Sequence, residues 1–219
     1  MTEPDAHASR QRSLLGAAFV VVWLAAGIGG TWALARYALT PARASAVAQQ
    51  WPPASALRRE RSTLLVFAHG RCPCTQASLS ELARVLARHC RPTEGAASAA
   101  GGHAADAAVD VRVLVHDPLG ASDSPVAQRA RAIPGVSVVD DPGGRESALF
   151  GVTTSGHVLL YDSAGTLLFS GGITPARGHE GDSAGGAALA QLLGGASTAT
   201  PAASPVFGCS IATCAGGPA

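Results

Sequence analysis

The longest feature in the hydrophobic pattern is an unbroken uncharged run from Ser13 to Ala35, bracketed by Arg12 and Arg36. A run of roughly 20 apolar residues crosses a hydrocarbon core of about 30 Å as a helix. Residues 13–36 are therefore expected to form a transmembrane helix behind a short tail, 1–12. Trp32 and Tyr37 fall near its far end, where amphipathic rings settle at the headgroups. Beyond it, 37–60 is rich in Ala, Pro and Arg, carries the Pro52-Pro53 pair and shows no periodicity, which reads as a tether.

The pattern then changes to short runs of two kinds. Thr63 to Ala68 is continuously apolar over strand length, as in a strand buried on both faces. Thr75 to Arg88 places Leu79, Leu82, Ala83, Val85 and Leu86 on one helical stripe. Asp110 to His116 predicts a second buried strand, Ser124 to Ile133 a short helix, Val136 to Val139 a short strand and Gly144 to Phe150 a turn or two of helix. His157 to Tyr161 and Thr166 to Ser170 read as strands of a hairpin, joined by Asp162-Ser163-Ala164-Gly165. Asp182 or Ser183 is placed to cap a last helix ending near Leu193. This puts a folded domain at 61–194, with an Ala/Gly/Ser-rich surface insertion at 92–109 and an irregular tail at 195–219 that holds Cys209 and Cys214.

Composition and charge narrow the partners. The formal net charge is +1, every basic residue except His is Arg, and no basic run offers a phosphate-binding stripe, so nucleic acid is not an expected partner. Arg10 and Arg12 favour a cytoplasmic N-terminus, against Arg36, Arg43, Arg58 and Arg59 on the other side. Ala42-Arg43-Ala44 has the small residues of a signal-peptidase site, so a cleaved leader is the rival to an anchor. The apolar run is longer than a signal core, and Glu3 and Asp5 sit in the leader, which favours the anchor. The expected location is the inner (cytoplasmic) membrane, single-pass, with the domain facing the periplasm or the cell exterior.

The strongest chemical signal is His69-Gly70-Arg71-Cys72-Pro73-Cys74-Thr75, where a buried strand hands over to an amphipathic helix. Unpaired N–H groups and the positive end of the helix dipole stabilise a thiolate there, and Arg71 and a protonated His69 would act in the same direction. A thiolate so placed attacks a disulfide, and a neighbouring Cys resolves the mixed disulfide. Cys72, expected nearer the exposed helix start, is the candidate nucleophile and Cys74 the resolving thiol, with Pro73 between them. A Cys-x-Cys disulfide closes a very small ring, which suits exchange better than permanent stapling. Cys209 is a further candidate resolving thiol, or a partner of Cys214 in a tail disulfide, and Cys90 is the simplest unpaired remainder.

Phe67 to Leu86, Phe150 to Gly185 and Val206 to Ser210 resemble the RedB-type membrane-anchored proteins of the thioredoxin superfamily, a likeness that covers roughly 61–194 plus the closing VFGCS. The resemblance implies a thioredoxin-like α/β fold, a central mixed sheet flanked by helices, and a redox role toward protein thiols and disulfides with a membrane or periplasmic electron donor. No dissociable organic cofactor is implied. Two departures stand out. Arg71-Cys72-Pro73-Cys74 replaces the Cys-Gly-Pro-Cys of ordinary thioredoxins, and Thr154-Ser155-Gly156 stands where they place a cis-proline that shapes the substrate groove.

Other readings compete with exchange. His69, Cys72 and Cys74 are borderline and soft ligands within one turn, and His157 or His179 would supply the distant His of a Sco-like copper site, making copper the alternative cofactor. A non-catalytic adaptor that kept the fold is the third reading. In the loop Ile173 to Gly185, His179 and Glu180 are candidates for proton shuttling to the thiols, or else part of a solvated charge cluster before a capped helix.

Overall fold

The computed structural model describes residues 4–89, 109–117, 120 and 123–211, with the backbone alone for 4–11 and 13. Cys90, Cys214 and the insertion expected at 92–109, Val109 excepted, lie outside the described residues. The chain divides into two units, 1–39 and 40–219.

The first unit is a single helix, α1, Pro4–Leu39. Its apolar part, Leu14–Leu39, is 26 residues long and entirely unburied. At 1.5 Å per residue that is about 39 Å, enough for a tilted span of a bilayer core.

The second unit is built on one mixed sheet. Its strands are β1 (Thr63–His69), β2 (Asp110–His116), β3 (Val136–Asp140), β4 (His157–Tyr161), β5 (Leu167–Gly171) and β6 (Ala202–Ala203). They lie in the order β3-β2-β1-β4-β5-β6. β1 runs parallel to β2 and antiparallel to β4, and β5 is antiparallel to β4. The helices are α2 (Pro73–His89), α3 (Pro125–Arg131), α4 (Arg145–Leu149) and α5 (Ala184–Leu193). Strand, helix, parallel strand, then an antiparallel hairpin and a closing helix around a central β1 is the thioredoxin-like arrangement, here with β3 and β6 added at the edges. Ser124 and Ser183 cap α3 and α5 through their hydroxyls, which accept from Ala127 N and Gly186 N.

β1, apolar from Leu64 to Ala68, sits at the centre because both of its faces are covered. Successive side chains of a strand point to opposite faces. Leu64, Val66 and Ala68 join Leu79 and Leu82 of α2, Val126 of α3 and Leu189 of α5 in one cluster. Leu65 and Phe67 join Phe150, Leu159 and Tyr161 in the other.

That second face corrects the reading of 37–60 as a tether. The segment forms no helix or named strand, yet Val47, Trp51 and Leu57 pack against the second cluster. Trp51 meets Phe150 and Tyr161 edge-on at centroid distances of 5.0 and 5.3 Å. The Tyr161 hydroxyl donates to Ala48 O at 2.7 Å, and Glu146 accepts from Ser55 Oγ and Ala56 N at 2.6 and 3.0 Å. The five-residue α4 is too short to cover this face, and the chain before β1 completes the cover. The tail, expected to be irregular, has two residues in β6 and is held against the domain up to Ile211. Ser204 N donates to Ser170 O, Ile211 N donates to Thr153 O, and Ile211 itself is buried in the second cluster. Burying an Ile side chain is worth about 1.5–3 kcal/mol, enough to hold a short segment down.

Candidate functional site

The site forms where β1 ends. Its last residue, His69, leads into Gly70, whose α-carbon lies so close to Asp117 that an added Cβ would fall 2.5 Å from the carboxylate. Only glycine permits that approach. Gly70 N donates to His116 O and Cys72 N donates to His69 O, which closes the turn. Cys72 immediately precedes α2, in the capping position, and Pro73 is the first helical residue, where its missing N–H costs nothing. Cys74 follows inside the first helical turn.

The third thiol arrives from the other end of the chain. Thr154 and Ser210 form an antiparallel bridge, and Ser155 N donates to Cys209 O at 2.8 Å. This pairing brings Cys209 Sγ to 3.1 Å from Cys72 Sγ. All three sulfurs, of Cys72, Cys74 and Cys209, lie within 4.8 Å of one another. Two observations explain why the approach is so close. Gly208 packs onto the Ser155 carbonyl, where a Cβ would come to 1.8 Å of the oxygen. The Arg177 guanidinium also donates to Gly208 O.

Ser155 is the joint of the site. Its hydroxyl accepts from His69 N at 2.8 Å and is hydrogen-bonded to Thr75 Oγ1 at 2.5 Å, while its own N–H holds the tail. A proline here would have no N–H to give Cys209. The departure from a cis-proline noted in the sequence thus coincides with a backbone donor that this chain uses.

The three thiols differ in acidity. Burial raises the Cys72 pKa, but hydrogen bonds from Cys209 and from the side chain and backbone of Thr75 outweigh it, leaving the thiol below its ordinary value. Cys74 is pushed up, first by burial and then by the charge of Cys72, with Arg177 opposing. Cys209 is pushed up to about 12, first by burial and then by its bond to Cys72. Cys72 is therefore the most readily ionised of the three thiols, beside two whose protonated forms are favoured.

Several expected contributors act differently. Cys72 was expected at the exposed helix start, but it is only 2% exposed because the tail covers it, and Cys209 is the more accessible sulfur. Arg71 turns toward Asp117, with Nε 3.4 Å from Oδ2. His69 has its pKa lowered, chiefly by burial, with Asp117 opposing and His116 and Arg71 adding to the effect. It is neutral at pH 7 and supplies no positive charge to the sulfur. Thr154 belongs to the bridge that positions the tail.

The histidines proposed for copper do not join the sulfurs, since among the described residues the converging group consists of the three cysteines. His157, on β4, is buried and its Nε2 pairs with Ser170 Oγ at 2.9 Å. It lines a separate cavity of about 460 Å³ between Pro41–Ser45 and Ser204–Val206. His179 Nδ1 pairs with Arg177 O at 2.8 Å. Glu180 is bound to Arg84 of α2 at 2.6 Å, and Glu81 accepts from Gly181 N, so this loop is a charge cluster clamped to α2. Asp117, Thr75 and Arg177 have roles the sequence reading did not assign. The partners of Asp117 and Arg177 are distant in the chain, whereas Thr75 stands three residues after Cys72, a helical spacing that could have pointed to it.

No protein-family model and no curated protein matches the chain. Among solved structures, a hypothetical protein from Sinorhizobium meliloti 1021 is 19% identical, with 81% of this chain and 96% of that one covered and a TM-score of 0.51. An uncharacterized conserved protein from Geobacillus kaustophilus is 17% identical over 78% of this chain and 94% of its own, with a TM-score of 0.50. A secreted Mycobacterium tuberculosis disulfide oxidoreductase homologous to E. coli DsbE matches at 14% identity, 63% and 84% coverage and a TM-score of 0.39, and no activity carries over from it. The first two likenesses extend over nearly the whole of the other chain, and what they share with this protein is its fold.

Proposed function

We propose that this chain is a thiol–disulfide oxidoreductase, anchored by α1 in the inner membrane with its domain on the periplasmic or exterior side, and that Cys72 exchanges with Cys209 during turnover. The observation that carries this reading is the 3.1 Å approach of the Cys72 and Cys209 sulfurs, with only Cys72 held toward its thiolate. In the oxidised protein a Cys72–Cys209 disulfide presents its more accessible sulfur, Cys209, to a partner thiolate. The partner sulfur bonds to Cys209 Sγ, the Cys72–Cys209 bond breaks, and Cys72 leaves as a thiolate, favoured as a leaving group by its lowered pKa. A second partner thiol then attacks the mixed disulfide and releases Cys209, which takes a proton. The partner ends as a disulfide, two electrons reside on the cysteine pair, and a membrane or periplasmic redox protein of the same chemistry takes them on. In the reducing direction the Cys72 thiolate attacks the substrate disulfide and releases one substrate thiol, and Cys209 then attacks Cys72 Sγ, releases the second thiol and closes the Cys72–Cys209 bond. Cys74, its pKa raised by burial and by the charge of Cys72 beside it, stands as an alternative resolving thiol.

Disulfide mapping of the oxidised full chain by mass spectrometry, combined with an insulin-reduction assay, tests this. The expected results are a Cys72–Cys209 bond, activity abolished in Cys72→Ser, and activity reduced but measurable in Cys74→Ser. Full activity in Cys72→Ser would remove the exchange function. A Cys72–Cys74 bond with unimpaired Cys209→Ser would remove the role of Cys209.

A further inference from the structure

We infer that the reduced site is also a three-sulfur site for a soft monovalent metal ion, Cu(I), held by Cys72, Cys74 and Cys209. This goes beyond the exchange reading, because binding requires all three sulfurs reduced and transfers no electrons.

The argument begins with convergence. Two of the ligands are fixed by the start of α2, and the third is delivered from 137 residues away by the pairing of the tail with Thr154 and Ser155. A first-row ion binds thiolate at about 2.3 Å, so three sulfurs arranged trigonally around it lie about 4 Å apart. Cys72 and Cys209 are 3.1 Å apart and no pair of the three sulfurs exceeds 4.8 Å, so a modest widening of the Cys72–Cys209 contact seats the ion.

The donor set then selects the metal. All three ligands are soft, which favours Cu(I) over the harder divalent ions. A structural Zn(II) site closes with four protein ligands. Among the described residues no His, Asp or Glu atom joins the three sulfurs, so the set is one short for Zn(II) and complete for trigonal Cu(I). His157, His179 and His69 are engaged elsewhere, and the site therefore differs from a Cys/Cys/His arrangement.

Charge and access fit as well. Three thiolates around one monovalent cation leave two negative charges. The Arg177 guanidinium, bound to Gly208 O and felt by Cys74, and the Thr75 N–H and hydroxyl at Cys72 lie where they offset them. Cys72 and Cys74 are buried, which shields a bound ion from water and oxidants, whereas the partly exposed Cys209 provides the point of entry and release. A ligand within reach of the surface is what metal transfer to another thiol protein requires.

Anaerobic titration of the fully reduced full chain in detergent with Cu(I), against a chromophoric Cu(I) chelator, tests the proposal, with X-ray absorption to count sulfurs. One equivalent retained with three sulfur neighbours is expected. Cys209→Ser should leave two sulfurs and weaken competition by roughly tenfold or more. His69→Ala and His179→Ala should leave both readouts unchanged. The proposal is overturned if the wild type yields all its copper to the chelator, if Cys209→Ser keeps the same affinity and sulfur count, or if equimolar Zn(II) displaces the Cu(I). Because the protein is reduced throughout, none of these outcomes depends on exchange activity.

Discussion

The Cys-bearing turn and the tail that crosses it reach the same few ångströms by opposite means. The turn is local: a fully buried strand, a glycine pressed on Asp117, a capping cysteine and a proline at the first helical position fix Cys72 and Cys74 within ten residues. The tail has little secondary structure of its own, two residues in β6, and is held by single backbone hydrogen bonds, a glycine that fits under a carbonyl, and one buried Ile. Segments of the second kind open at lower free energy than those of the first. Reactivity thus resides in the rigid part, and access to it in the part that gives way.

The largest effect expected to separate the two is acid, acting through His157 under the tail edge. Burial lowers its pKa from 6.5 to about 4. A depressed folded pKa means that the unfolded chain binds the proton first, so the contribution of the neutral ring is complete above pH 6.5 and is lost as the pH falls toward 4. The full span corresponds to about 3 kcal/mol. Urea unfolding of the full chain in detergent across this window should show the loss, and His157→Gln should remove most of it. Parallel pH profiles for the two proteins would assign the acid sensitivity elsewhere.

How much of this was legible in the sequence follows the same division. The strands at 63–69, 110–116 and 157–161 were readable because each is a continuous or alternating apolar run whose periodicity does not depend on the rest of the fold. So were the cap of α5, expected at Asp182 or Ser183 and found at Ser183, and the thiols at the start of α2, since capping and helix-end electrostatics act over three or four residues. The segments 37–60 and 195–211 carry no such signal. Val47, Trp51 and Ile211 are single apolar residues in Ala- and Pro-rich surroundings, and only the open face of the sheet gives them somewhere to go. The placing of Arg71 and His69 as supports for the thiolate was a statement about neighbours in sequence. Asp117 and burial, both consequences of the fold, decide their actual states.

Ser155 offers an intermediate test, because it touches both regions. Ser155→Ala leaves the His69 N–H without its acceptor and the Thr75 hydroxyl without its Ser155 partner in a buried place, a cost of about 2 kcal/mol. The backbone N–H to Cys209 O remains. Global stability should therefore fall by about that amount in urea, and alkylation of Cys72 should accelerate as the joint loosens. A full stability loss with an unchanged alkylation rate would mean that the turn and the tail do not communicate through this residue.

Ser204→Ala gives the smallest effect and the sharpest division. Its hydroxyl donates to Gly172 O at 2.7 Å, an anchor that belongs to the tail alone. Losing one neutral hydrogen bond costs about 1 kcal/mol. If the tail opens by itself, that energy enters the opening step, and the alkylation rate of Cys72 in the reduced protein rises about fivefold while the urea midpoint hardly moves. The pH dependence of that rate should keep its shape in the variant, because the Thr75 bonds that lower the Cys72 pKa belong to the turn and do not involve Ser204. The opposite pattern, a midpoint lowered by the whole amount with Cys72 no easier to alkylate, would mean that the tail and the sheet unfold as one unit. Access to the buried sulfur would then have to come from the side of α2, where Gly178 and Arg177 border Cys74.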